Sequence, residues 1–182
     1  MNPKRLFFVP SCNQAKIAMP ATVDAPHVAS TLDAVIRPTL PMQRMRIQLQ
    51  EPLSDAAFQA LCAKNEGLSI EQNPDGTLTL MSPTGGTSGA RNFHIYRHLA
   101  AWIEDSGDGF GFDSSTMFKL PNGAYRMPDV AWVQRERFTA LSAEERDGFV
   151  PLAPDFVIEL RSPSDSLDVL KNKMNEYMRA GV

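Results

Sequence analysis

Phe156-Val157-Ile158-Glu159-Leu160-Arg161-Ser162-Pro163-Ser164-Asp165-Ser166 passes from strand to turn to helix cap without a break. Phe156 to Leu160 is a run of strand formers fit for burial, interrupted by one acid. Ser162-Pro163-Ser164-Asp165 carries turn chemistry, because proline fixes φ and short polar side chains bond their own backbone. From Ser166 to about Ala180, Leu167, Leu170, Met174 and Tyr177 recur at helical spacing. Gly181 then stands where a helix end favours left-handed backbone. A buried strand delivered into an amphipathic helix points to a fold that mixes helix and sheet.

Working outward, Asp129-Val130-Ala131-Trp132-Val133 reads as a second buried strand. Between the two strands the chain is polar, with a short helix expected at Ser142–Arg146. Upstream, short strands are expected near Gly111-Phe112 and Met117–Leu120, and Pro121-Asn122-Gly123 is a turn. A long helix should start after Thr87 or Ser88 and run to about Asp105. Asn92, Ile95, Tyr96, Leu99, Trp102 and Ile103 would form its inner face. Leu68 and Ile70, then Leu78 and Leu80, alternate around Asn73-Pro74-Asp75-Gly76 and predict a β-hairpin. Ser54 should cap a helix over Asp55–Lys64 that buries Phe58, Leu61 and Cys62. Trp102 and Trp132 are expected in the core. The order is helix, hairpin, long helix, strands, helix: an α/β domain, or α+β, with a mixed sheet.

Residues 1–44 differ in kind: they hold six of the 14 prolines and none of the 11 glycines. Pro20, Pro26, Pro38 and Pro41 break every helical window, so a flexible Pro-rich extension is expected, followed by a domain at 45–182. Lys4-Arg5-Leu6-Phe7-Phe8-Val9 is too short an apolar run for a secretion signal, and an upstream start codon ahead of Met42 or Met45 is the preferred reading. The 182 residues can bury a real core, and no apolar run suits a membrane helix. Two distant cysteines, Cys12 and Cys62, make neither a disulfide framework nor a zinc cluster, which predicts a reducing cytoplasm. The net charge of −3 argues against coating nucleic acid by charge alone. It leaves room for a nuclease, whose site is acidic until metal enters.

Two acids interrupt or begin apolar strands. An acid at a strand end is commonly just solvated, so each gains weight only from the other. If the strands are antiparallel neighbours, Asp129 lies beside Glu159. Two converging carboxylates repel unless a cation sits between them, and hard oxygen ligands suit Mg²⁺ or Mn²⁺. Arg161 shares a strand face with Glu159 by period two. Lys171 and Lys173 border the apolar stripe of the last helix, and periodicity does not choose between them. His94 and His98 form an i,i+4 pair, but they project away from the Ile95/Leu99 face, so a solvated face is expected.

Taken together, Pro128-Asp129, Val157-Ile158-Glu159-Leu160-Arg161-Ser162-Pro163-Ser164-Asp165, Lys173-Met174, Tyr177 and Gly181-Val182 resemble the Uma-type restriction endonuclease family of the PD-(D/E)XK nuclease superfamily. Ile70-Glu71, Asp75-Gly76 and Leu80-Met81-Ser82-Pro83-Thr84-Gly85-Gly86 agree, as do Asp113-Ser114-Ser115-Thr116 and Leu120-Pro121-Asn122-Gly123. The likeness covers roughly residues 50–182. It implies a restriction-endonuclease-like core in which Asp129 and Glu159 ligate Mg²⁺ or Mn²⁺. Arg161 stands where the E-x-K element has lysine, and Lys173 would supply that lysine from the next helix. Glu71 would complete the site, and Asn92 stands where many relatives carry histidine. The resemblance also implies an apolar strand beyond Gly181-Val182, hence a core short of its C-terminal strands. The implied activity is metal-dependent hydrolysis of DNA phosphodiester bonds, with DNA as substrate, a homodimer as the assembly to test, and no membrane. The alternative is an inactive remnant that binds nucleic acid or a protein partner.

Overall fold

The computed structural model describes residues 35–36, 44–81, 83–106, 108–161 and 165–182. The expected extension over 1–44 lies outside them except at 35, 36 and 44, and so does the Ser162-Pro163-Ser164 turn. In chain order the elements are β1 (Met45–Gln48), α1 (Asp55–Lys64), β2 (Ser69–Gln72), β3 (Thr77–Met81), α2 (Gly86–Ser106), β4 (Phe110–Asp113), β5 (Phe118–Lys119) and β6 (Tyr125–Arg126). They are followed by β7 (Val130–Val133), α3 (Arg135–Thr139), α4 (Ala143–Asp147), β8 (Phe156–Ile158) and α5 (Leu167–Arg179).

The strands form two sheets, ordered β1-β3-β2-β6-β5 and β4-β7-β8. The paired strands run antiparallel, and Phe118 makes a parallel bridge to Val150. Helix α1 starts where expected because Ser54 Oγ accepts from Ala57 N at 3.3 Å. Its Phe58 and Leu61 pack with Ile70, Leu78, Leu80 and Tyr125 into one core beneath the larger sheet. The β2–β3 turn closes on Gly76, at φ +81°, where a Cβ would stand 2.9 Å from the carbonyl carbon of Glu51. Only glycine suits both that conformation and that space. The second core joins Phe118, Ala131, Val133, Val150, Val157 and Tyr177, and so docks α5 on the smaller sheet.

Several expectations need correction. Helix α2 begins at Gly86, and its first bond runs from Gly89 N to Gly85 O at 2.9 Å. The Gly85 carbonyl therefore opens the helix, and Thr87 and Ser88 lie inside the first turn. Trp102 is 50% exposed and meets Trp132 edge-on, with centroids 5.2 Å apart, so each indole shields the other instead of filling the core. Leu167, expected on the core side of α5, is exposed at the first turn, ahead of the contacts made by Met174 and Tyr177. Strand β8 stops at Ile158, leaving Glu159 just past its end.

Candidate active site

The β7–β8 register pairs Val130 with Ile158 and Ala131 with Val157. One residue further along each chain, Asp129 and Glu159 stand at the adjoining ends of β7 and β8. The ends of the strands are laced together there, for Asp129 Oδ2 accepts from Leu160 N at 2.7 Å. Asn92 Nδ2, from α2, donates to Asp129 Oδ1 at 3.2 Å. The Tyr96 hydroxyl donates to the Asp129 carbonyl at 2.8 Å and accepts from Ser114 N at 2.6 Å. Three elements thus hold Asp129 in one orientation.

Glu71 reaches the same region from β2. Its Oε1 accepts from Met127 N at 2.9 Å and from Lys173 Nζ at 2.9 Å. Lys173 also reaches Glu159 Oε1 at 2.8 Å. One turn later on α5, the Tyr177 hydroxyl donates to the same Glu159 oxygen at 2.9 Å. The i,i+4 spacing of Lys173 and Tyr177 is what brings both side chains to one acid. Lys171 is exposed, and Arg161 is exposed with its Nε on the Asp165 carbonyl at 3.3 Å. The structure therefore joins Glu71, Glu159 and Lys173 by direct contact, ties Asn92 and Asp129 together at the neighbouring Leu160 amide, and leaves Arg161 and Lys171 at the surface.

Burial and charge pull against each other in this cluster. For Glu71, burial alone would raise the pKa, but the Lys173 and Arg126 charges and the Met127 amide bring it below the usual carboxylate range. For Glu159 burial wins, and its pKa is raised despite Lys173. Burial would lower Lys173, yet the two carboxylates hold its pKa above the ordinary lysine value. Tyr177 is raised well above the usual phenol range, by burial and then by the Glu159 charge.

Arg126 is the residue the sequence reading passed over. It is buried, with Nε on Glu176 Oε2 at 2.6 Å, Nη1 on the Gln72 carbonyl at 2.9 Å and Nη2 on Asn73 Oδ1 at 2.7 Å. The signal was present: Arg126 interrupts Ala124-Tyr125-Met127-Pro128 just as Glu159 interrupts its own apolar run. The role of the Tyr177 hydroxyl was hidden for another reason, since an apolar stripe says nothing about where its one polar atom points.

Among the described residues no three His, Cys, Asp or Glu side chains are grouped to hold a metal ion. The donors that do converge are nonetheless hard oxygens. Asn92 Oδ1 is buried without a hydrogen-bond partner, next to the Asp129 carboxylate that Asn92 Nδ2 contacts. An orphaned buried acceptor beside the Asp129 carboxylate is donor chemistry that suits a hard divalent cation of the Mg²⁺ kind. His94 and His98 sit on the exposed side of α2 with their Nε2 atoms 3.2 Å apart.

A profile of the Uma2 family, described as "Putative restriction endonuclease", matches residues 55–182. No similar protein was found among curated proteins. A solved structure from Anabaena variabilis ATCC 29413, described as a "putative nuclease belonging to DUF820", aligns with a TM-score of 0.50 at 18% identity. The alignment covers 63% of this chain and 62% of that one, so this chain spans less than two thirds of that protein's length. At that identity the likeness is one of fold.

Proposed function

From the premise that the chain belongs to the Uma2 restriction endonuclease family, we propose that it hydrolyses DNA phosphodiester bonds with a divalent metal ion. One observation carries the reading: at the end of β8, Glu159 shares the buried Lys173 ammonium with Glu71, and Asp129 accepts from the very next amide, Leu160 N. Asp129 and Glu159 would hold Mg²⁺ or Mn²⁺, and Asn92 Oδ1 is the neutral oxygen closest in kind. When bound, such an ion supplies an acidified water and offsets charge at phosphorus.

The remaining work falls to the chain's own groups. Lys173 keeps its proton, and two of its three N–H bonds point at Glu71 and Glu159. The third is available to a phosphate oxygen, where a fixed ammonium favours the transition state as charge gathers. Glu71 contacts no reacting atom in this scheme; it fixes the height of Lys173. Tyr177 fixes one Glu159 oxygen, and Leu160 N and Asn92 fix the Asp129 carboxylate. In the reaction water forms the new P–O bond, the ester P–O bond breaks, and the leaving oxygen takes up a proton.

Nicking of supercoiled plasmid in Mg²⁺ or Mn²⁺ tests this reading. Glu159→Gln should abolish nicking while the melting temperature stays near wild type. Gln retains an acceptor for Lys173 and Tyr177 and lacks only the charge. Nicking that persists in excess chelator, or at the wild-type rate in Glu159→Gln, would refute it.

A further inference from the structure

A cleft opens onto the Glu71–Lys173 pair between the polar face of the larger sheet and one stripe of α5. The sheet register explains its floor. Arg46 on β1 pairs with Thr79 on β3, and Thr79 pairs with Glu71 on β2. These three residues form one row across one face, while Ile70, Leu78 and Leu80 are turned into the core. The wall is helical: Asn172, Glu176 and Arg179 recur at helical spacing along α5 and line the cleft.

The cleft's charges sort into pairs. Lys173 is matched by Glu71 and Glu159, Arg126 by Glu176 at 2.6 Å, and Arg44 by Asp165 at 3.7 Å. Asp75 is occupied in the hairpin turn, where its Oδ1 accepts from Thr77 N at 2.9 Å. Arg46 and Arg179 are exposed and have no ion-pair partner among the described residues. Two unpaired cations at the mouth of one cleft stand out in a chain of net charge −3.

Their spacing is that of a polymer. Arg46 lies two strand spacings, about 10 Å, from Glu71. Arg179 lies about 9 Å along the helix axis from Lys173. A single phosphate cannot reach both arginines and the acid–lysine pair. A nucleic acid strand, with a phosphate for every 3.4 Å or so of axial rise, presents charge over the whole interval. We propose that Arg46 and Arg179 are positioning residues that seat the phosphate backbone of DNA on either side of the phosphate met by Lys173. The proposal rests on the hydrolytic reading above and adds to it the path of the strand. Arg46 precedes residue 55, where the family match begins, so this half of the path comes from the chain's own N-terminal strand.

Fluorescence anisotropy of a labelled duplex of about 20 base pairs, with chelator present and salt varied from about 50 to 200 mM, tests the proposal without requiring cleavage. Loss of one phosphate contact lowers the log–log salt slope by about 0.9, which is about eightfold in affinity at 0.1 M salt. Arg46→Gln and Arg179→Gln should each show that loss, whereas Arg146→Gln on α4 should bind like wild type. If the two cleft variants match Arg146→Gln in affinity and slope, or if the wild-type chain does not bind the duplex, the proposal falls. Binding through both arginines without plasmid nicking would refute the hydrolytic reading and leave the cleft standing. Nicking at wild-type KM by both variants would do the reverse.

Discussion

Removing the Lys173 ammonium would leave Glu71 and Glu159 buried with no cation between them. Breaking a buried pair from one side costs about 3–5 kcal/mol, and we expect that loss for Lys173→Met near pH 7. The pH dependence follows from linkage. Glu71 is held below its usual range, so its contribution is present above the unfolded value near 4.5 and fades as pH falls. Glu159 is raised, so it favours folding at low pH and opposes it as pH climbs through its folded pKa. In Lys173→Met both acids should be raised, so its deficit should widen from pH 4 to pH 7 in paired thermal melts. A deficit independent of pH would contradict the bridging geometry. Lys171→Met, at an exposed position, should change neither melting nor nicking. Asp129 and Glu159 were legible in the sequence because a charge inside an apolar run must be accounted for. Lys173 was not separable from Lys171 by periodicity, since both border one stripe; resemblance singled it out, and the structure brings it to both acids. Arg126 went unread although it obeys the same rule as Glu159, because its strand is too short to announce itself.

At the scale of elements, the hairpin and the first helix were readable from turn and cap chemistry, which is local. Gly76 and Gly123 offer a measurement of how much of that chemistry is conformation and how much is space. Both have positive φ, but a Cβ at Gly123 meets nothing within 4 Å, whereas one at Gly76 meets the Glu51 carbonyl at 2.9 Å. Gly123→Ala should cost about 1 kcal/mol and Gly76→Ala about 2–3 kcal/mol or more, by denaturant unfolding. Equal losses would mean that the Glu51 segment yields freely. Unread in the sequence were β1 and, for a definable reason, β6 and α3. A strand of two residues has no period, and α3 lacks a side-chain cap bond. Both exist because tertiary neighbours hold them: Gln72 pairs with Tyr125, and Phe138 packs against the second core.

For the whole molecule, the Pro-rich segment was read as a flexible extension apart from the domain, and one contact qualifies that. Ile36 packs against the first core, and its N–H donates to Asn65 Oδ1 at 2.5 Å. A chain beginning at Met45 should still lose its secondary structure in one cooperative transition, but about 1–3 kcal/mol less stable for the loss of one partly buried aliphatic side chain and its bond. Loss of cooperativity would show that the domain begins earlier. The division into two sheets was beyond the sequence, because alternation reveals a strand's faces and not its neighbours. That division gives Lys173 a second meaning. It joins β2 of one sheet to the end of β8 in the other, and its bond to Glu71 spans 102 positions of chain. Closing so long a loop is entropically slow, so this contact should mature late, once α5 has docked on the smaller sheet. The same logic runs backwards in denaturant: the bond between Lys173 and Glu71 should open first, while Tyr177 still anchors α5 in the second core. Binding or cleavage should therefore fade at a lower urea concentration than far-ultraviolet circular dichroism, and the centre would act as the molecule's own gauge of assembly.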